Sequence, residues 1–157
     1  MFSHALVPID GSTLSNAAIS TALELALSVG GKITFFHVAT PRDFSPYGGY
    51  AYGLALPIQH LDEVRTAAHA HLAAAEKMAI EAGVPCAAHY VVSESPAAAI
   101  LRAAKKYRCN GIVMATHARS GMERLLLGSE TQKVLAATKV PVMVLRGPAG
   151  KPSGTKN

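Results

Sequence analysis

Residues 111–130, GIVMATHARSGMERLLLGSE, contain the local signals that decide the fold. They begin with an apolar run, Gly111–Ala115, that does not alternate with polar residues. Such runs are typical of strands buried on both faces, and such strands belong to parallel sheets. A loop follows, and Gly128-Ser129 then lead into a segment with helical spacing. The stretch therefore predicts a strand–loop–helix unit of an α/β protein.

The pattern repeats on both sides of this stretch. Four further apolar runs read as strands, at Ala5–Ile9, Ile33–Val38, Ala87–Val92 and Val140–Leu145. Amphipathic helical stripes lie between them, over residues 19–27, 61–79, 97–104 and 134–138. Strict alternation with mostly short links predicts right-handed crossovers. The fold class is therefore α/β, a three-layer open parallel sheet of five strands with helices on both faces.

Length and composition indicate one ordinary domain. The chain has 157 residues, of which half are apolar, and we assign residues 1–146 to a single domain. No apolar run approaches the ~18 residues of a membrane helix, and the N-terminus lacks a signal peptide's basic segment. A cytoplasmic protein without membrane contact is the expectation. Cys86 and Cys109 show no metal-like spacing, so we expect reduced thiols.

The excess of basic over acidic residues is concentrated in two segments of the chain. Lys and Arg number 15 against 10 Asp and Glu, a net charge of +5. Residues 146–157 hold three of the excess charges, and we expect a disordered basic tail over 147–157. Residues 95–122 hold five basic residues and no acid, four of them near the end of a helix. Because nucleic-acid-binding motifs are absent, this pattern favours one small anionic ligand over nucleic acid.

One connection is much longer than the others. Residues 40–58 contain three Tyr, three Gly and three Pro without any period. Loops of this length are often functional lids, although many are plain surface loops. The sequence leaves both interpretations open.

The first candidate site follows the first strand, at Asp10-Gly11-Ser12. Ligands of open parallel sheets bind beyond the carboxyl ends of the strands, where the strand order reverses. The Asp10 carboxylate could accept hydrogen bonds from a ribose or an adenine amine, or help to hold a metal. It could equally orient the turn by accepting from local backbone N–H groups. Ser12 or Thr13 can cap the following helix.

The second candidate site follows the fourth strand, at Gly128-Ser129. The first N–H groups of a helix carry partial positive charge and attract phosphate. Ser129 and Gln132 match an S-x-x-Q capping box. Arg119 adds charge in the preceding loop. The alternative is an ordinary helix cap that binds nothing.

The chain resembles the universal stress protein family over residues 3–146. LVPIDGS at 6–12 is similar to the family's opening strand and D-G-S, and VMATHARSG at 113–121 to its C-terminal signature. The nucleotide-binding branch carries G-x-x-G-x9-G-[ST], which aligns here without gaps to Ala115, Ala118, Gly128 and Ser129. The resemblance implies the adenine nucleotide alpha hydrolase-like fold with strand order 3-2-1-4-5. It also implies a homodimer that pairs the last strands, Val140–Leu145.

The resemblance implies an adenine nucleotide as ligand, ATP, ADP or AMP, with Mg²⁺ left open as its companion. Adenine and ribose would lie at the ends of the first two strands, and the phosphates at the loop and helix after the fourth. The implied nucleotide-binding residues are Pro8, Ile9, Asp10, Val38, Met114, Ala115, His117, Ala118, Arg119, Gly128, Ser129, Glu130 and Thr131.

Two alanines replace glycines of the family signature. Ala115 ends a strand, where φ is expected to be negative and a methyl group is tolerated. Ala118 lies within the loop, where a positive φ would cost about 1–2 kcal/mol. These alanines favour a second hypothesis, a nucleotide-free interaction protein of the same fold.

No catalytic or metal-binding set is recognisable. The seven histidines include no i, i+4 pair. A Walker loop, a G-x-G-x-x-G motif and a G-x-S-x-G elbow are all missing. We therefore expect a binding protein rather than an enzyme, with weak ATP hydrolysis as the third hypothesis.

Overall fold

Strands and helices alternate throughout the computed structural model, which describes residues 1–40, 58–116 and 127–147. The strands are β1 (His4–Ile9), β2 (Lys32–Ala39), β3 (Cys86–Val92), β4 (Gly111–Thr116) and β5 (Val142–Arg146). The helices are α1 (Thr13–Val29), α2 (Ile58–Ala82), α3 (Pro96–Lys106) and α4 (Ser129–Ala137). The predicted element order is confirmed. Most of the long 40–58 connection and of the 147–157 tail lies outside the described residues.

The five strands form one parallel sheet in the order β3-β2-β1-β4-β5. This order confirms the predicted fold class. The chain adds β2 and then β3 on one side of β1, crosses back to add β4 on the other side of β1, and adds β5 beyond β4. The reversal lies between β1 and β4, which is where doubly wound sheets place their ligands.

Each central strand is buried on both faces. Successive strand residues point to opposite faces, so Val7 and Phe35 pack with α1 and α2, whereas Leu6 and Phe36 pack with α3 and α4. Val7, Phe35 and Leu6 have no exposed surface. This double burial explains why the strand sequences are continuous apolar runs.

The element ends follow local chemistry. The Ser12 side chain caps α1 by accepting from the Ser15 N–H at 3.1 Å, and Gly30 ends that helix with a left-handed φ of 61°. The predicted strand at Val140–Leu145 instead covers Val142–Arg146. Pro141 has no N–H to give to the ladder, and Val140 is held in a turn by the Thr138 hydroxyl. Among the helices described, none has the length and apolar character needed to cross a bilayer.

Candidate functional site

A crevice begins halfway up the two central strands. The ladder between β1 and β4 joins Ala5 to Gly111 and Leu6 to Ile112, and among the described residues it goes no further. In contrast, the ladder between β1 and β2 continues to Ile9 and His37. The carboxyl halves of β1 and β4 are therefore not joined by backbone pairing, as expected at a topological switch point.

Asp10 lies at one side of this crevice, anchored in a tight turn. Its Oδ1 accepts the Ser12 N–H at 2.9 Å, and its own N–H donates to the Ser15 hydroxyl at 3.3 Å. Gly11 has a φ of +79°, a conformation that favours glycine. The turn-forming role expected as an alternative is therefore present. It also holds an exposed carboxylate in place at the rim of the crevice.

Two histidines support this turn, and sequence reasoning missed both. The His37 ring donates from Nδ1 to the Ile9 carbonyl at 2.9 Å. The His71 ring lies 5.4 Å from the His37 ring, centroid to centroid. His71 also rests on Gly11 so closely that a Cβ at residue 11 would overlap its imidazole. No local pattern signals a contact between residues this far apart in the chain.

The start of α4 lies beyond the end of β4. Gly128, not Ser129, is the N-cap, and its N–H donates to the Thr116 hydroxyl at 2.9 Å. The predicted Ser129–Gln132 capping box is wrong, because Ser129 already lies inside the helix. Gln132 instead donates from Nε2 to the Leu127 carbonyl at 2.6 Å. Thr116, which the sequence did not single out, thus ties β4 to the start of α4.

The first amides of α4 provide the donor side of the site. Ser129, Glu130 and Thr131 occupy the first three helical positions, whose N–H groups have no partner within a helix. Their partial positive charge suits an anion. The Ser129 side chain is exposed, whereas that of Thr131 is buried. Thr131 can therefore serve a ligand through its backbone rather than its hydroxyl.

Glu130 is directed to a neighbouring helix. Its Oε2 accepts the Ala97 N–H in the first turn of α3 at 2.8 Å, and its Oε1 meets the Lys133 Nζ at 2.8 Å. The hydrogen bond from Lys133 is the main cause that lowers the pKa of this carboxyl, and the Ala97 amide adds to it. The charge that sequence reasoning placed beside the phosphates is therefore already compensated by a cation and a helix N-terminus.

The other predicted residues line the strand ends. Because successive strand residues point to opposite faces of the sheet, Pro8, Val38 and Met114 face the layer of α3 and α4. Ile9 and Ala115 face the layer of α1 and α2. His117, Ala118 and Arg119 lie outside the described residues.

Ala115 is compatible with its position in the strand. It pairs with Leu145 in the β4–β5 ladder. Among the described residues other than glycine, only Phe2 and Arg108 have a positive φ. The expectation that a methyl group is unstrained at residue 115 is confirmed.

The site thus has two chemically different sides. The carboxylate of Asp10 accepts hydrogen bonds, and the α4 N-terminus donates them. The register that pairs Ile9 with His37 also places Val38 level with Asp10, which extends the acceptor side to β2. In the part of the chain that the structure describes, no group of three or more His, Cys, Asp or Glu could hold a metal ion.

Comparisons with known proteins agree on one family. The sequence profile of the universal stress protein family matches residues 1–146. The chain is 32% identical to universal stress protein YxiE of Bacillus subtilis over 152 residues, covering 93% of this chain and all of that one.

Solved structures share the fold at low sequence identity. A universal stress protein in complex with cAMP matches with a TM-score of 0.67 and 21% identity, over 91% of this chain and 95% of that one. A family protein from Arabidopsis thaliana with AMP bound matches with a TM-score of 0.66 and 18% identity, over 96% and 95%.

Proposed function

Because the chain belongs to the universal stress protein family, we propose that it binds an adenine nucleotide and acts as a regulatory stress-response dimer. One observation carries the proposal. The Asp10 turn and the α4 N-terminus lie at the carboxyl ends of β1 and β4, on the two sides of an unpaired crevice. This arrangement offers acceptors at one end and anion-binding amides at the other.

The two sides match the two ends of a nucleotide. Ribose hydroxyls and the adenine amine are donors, which suits the Asp10 carboxylate and the backbone at Val38. Phosphates are anions, which suits the amides of Ser129, Glu130 and Thr131. Gly128 allows the phosphates to approach the backbone closely. His117, Ala118 and Arg119 remain proposed phosphate neighbours from the sequence alone.

Relatives with bound ligands support the adenine moiety. Two structures of the same fold are described as complexes with cAMP and with AMP, and these ligands share adenosine and one phosphate. The choice among ATP, ADP and AMP is part of our proposal, as are a cytoplasmic location and Mg²⁺ as a companion of the longer phosphates. A hard cation at such phosphates needs one or two carboxylates at most.

The dimer would form through β5. This strand is an edge of the sheet, and its apolar residues, Val142–Leu145, are only partly buried. A partly apolar edge strand is a ready template for pairing with another chain. Sedimentation of purified protein at about 50 µM measures the assembly state, and a monomer would refute this part of the proposal.

The binding proposal is tested by calorimetry with ATP, ADP and AMP on protein first denatured and refolded to remove carried-over nucleotide. The chain has no Trp and five Tyr, so ultraviolet absorbance readily reveals such nucleotide. Asp10→Asn keeps an oxygen for the Ser12 N–H but removes the charge. Since charged hydrogen bonds contribute about 1.5–3 kcal/mol, we expect this variant to bind at least about tenfold more weakly.

Asp62→Asn is the matched control, because Asp62 is an exposed carboxylate on α2. It should leave the affinity unchanged. If no adenine nucleotide binds at millimolar concentration, the proposal fails and the nucleotide-free interaction protein, favoured by Ala115 and Ala118, replaces it. Phosphate release from ATP that is lost in Asp10→Ala and Ser129→Ala would instead support weak hydrolysis. Turnover that survives both substitutions would indicate a contaminating enzyme.

A further inference from the structure

We propose a second ligand site at the opposite, amino edge of the sheet, for a small organic anion with a flat apolar body. A cavity of about 230 Å³ lies there, on the α3 face of the sheet and remote from the Asp10 turn. The first residues of β1, β2 and β3 contribute to it, together with Tyr107 just beyond the end of α3. Its lining residues are His4, Lys32, Ile33, Thr34, Pro85, Cys86, Ala87, His89 and Tyr107.

The cavity exists because α3 is short and one strand position is small. α3 ends at Lys106, and it packs mainly over β1 and β2 rather than over β3. The ladder places Ala87 of β3 beside Thr34 of β2. Ala87 is exposed, so no helix fills the space above it. The small side chain of Ala87 therefore forms the floor of the cavity and leaves the space above it open.

One wall is a rigid polar cluster. The His4 ring and the Thr34 hydroxyl are 2.9 Å apart, and the Arg108 backbone also lies beside the ring. Burial, followed by the nearby Lys32 charge, lowers the pKa of His4. Cys109 lies beside Thr34, and burial raises the pKa of its thiol. Because the His4 ring and the Thr34 hydroxyl are hydrogen-bonded to each other, they shape the wall, and Lys32 is left to bind the charge of a ligand.

Lys32 provides the anion-binding group. Its side chain is exposed at the rim, and it pairs with no carboxylate of the described residues. Lys105, Lys106 and Arg108 follow at the end of α3 and keep this corner of the molecule positive. The described acids of the α3 and α4 layer, Glu94 and Glu130, lie at the other edge of the sheet, beside the starts of α3 and α4. Glu76 of α2 is the acid that acts on the lining residue Cys86, so the cations at this corner outnumber the acids near the cavity.

The other wall is flat and aromatic. The His89 and Tyr107 rings stack with centroids 4.3 Å apart and an interplanar angle of 4°. Pro85 adds apolar surface beside them. A ligand with one anionic group and a planar apolar body would place its charge at Lys32 and its body against this wall. Carboxylates and phosphate monoesters both meet that description.

Nuclear magnetic resonance titration tests the site with defined probes. Benzoate and phenyl phosphate are the carboxylate and phosphate arms, and benzamide is the uncharged isostere of benzoate. We expect saturable shifts of the Lys32, Thr34, Ala87 and Tyr107 backbone amides with at least one anion. Benzamide should bind at least about tenfold more weakly, because it lacks the charge-assisted contact.

Two variants separate charge from shape. Lys32→Met should weaken binding about tenfold, whereas Lys139→Met, which removes another exposed cation, should not change it. Ala87→Leu should abolish binding by filling the floor without altering charge. The proposal is overturned if neither anion gives saturable shifts up to about 50 mM, if benzamide binds as well, or if Lys139→Met weakens binding as much as Lys32→Met. Unchanged binding in Ala87→Leu would also overturn it.

Discussion

The contact between Gly11 and His71 gives a quantitative test of how the Asp10 turn is built. Gly11 has a φ of +79°, and a Cβ at this residue would overlap the His71 imidazole. Gly11→Ala therefore has two costs. The left-handed backbone costs roughly 1–2 kcal/mol for a residue with a Cβ, and displacing a packed ring typically costs about 1–3 kcal/mol. We expect a loss of about 2–5 kcal/mol in the free energy of unfolding.

The chain offers a matched control for the first cost alone. Gly30 has a φ of +61°, and a Cβ there would meet nothing within 4 Å. Gly30→Ala should therefore lose only about 1–2 kcal/mol. The difference between the two variants measures the displacement of the imidazole. In a His71→Ala background the obstacle is absent, so Gly11→Ala should cost about as much as Gly30→Ala.

Urea unfolding followed by circular dichroism measures the unsubstituted protein, the three single variants and the double variant under one set of conditions. A double-mutant cycle isolates the Gly11–His71 coupling, because neighbouring residues do not contribute additively. We expect a coupling of about 1–3 kcal/mol. The reasoning is refuted if Gly11→Ala costs the same in both backgrounds, since the ring would then not rest on the turn. Equal losses for Gly11→Ala and Gly30→Ala would have the same meaning.

Two further predictions concern the start of α4. Thr116→Val should lower the free energy of unfolding by about 1–3 kcal/mol, because it leaves the Gly128 N–H without its acceptor. Urea unfolding measures this loss, with Thr66→Val on the exposed face of α2 as the control. Equal losses in the two variants would contradict the bond between Thr116 and Gly128. Glu130→Gln tests the bond to Ala97 through its pH dependence. Because the pKa of Glu130 is lowered in the folded protein, its stabilisation is present above the ordinary value of 4.5 and is lost as the pH falls through the lowered value. The unsubstituted protein should therefore lose its stability advantage over Glu130→Gln as the pH falls. An advantage that stays constant with pH would contradict the bond between Glu130 and the Ala97 N–H.

Periodicity was enough to predict the architecture. Continuous apolar runs and helical stripes give the order of the elements, and parallel strands with crossover helices admit few arrangements. The end of α1 at Gly30 and the start of α3 at Pro96 also follow from residue types with one dominant use. These signals work because they depend on neighbours within one turn or one strand.

The site was predicted less completely because its geometry depends on distant residues. Asp10 and Gly128 were found from their positions after strands. The support of the Asp10 turn by His71 depends on how α2 packs on the sheet, which no local pattern encodes. Thr116 resembles any other residue at a strand end, yet its hydroxyl accepts the Gly128 N–H and so ties β4 to the start of α4.

Glu130 shows how tertiary contacts change the meaning of a residue. In sequence it is an acid in the first turn of a helix proposed to bind phosphates, where its charge would repel the ligand. In the structure both of its oxygens are engaged, one by the Ala97 N–H and one by Lys133. The acid therefore joins the N-terminal ends of α3 and α4, and the amides of the first turn of α4 keep their attraction for an anion. The bond to Lys133 offsets the charge of Glu130, and the bond to the Ala97 N–H ties the start of α4, which the proposed phosphate site requires, to α3.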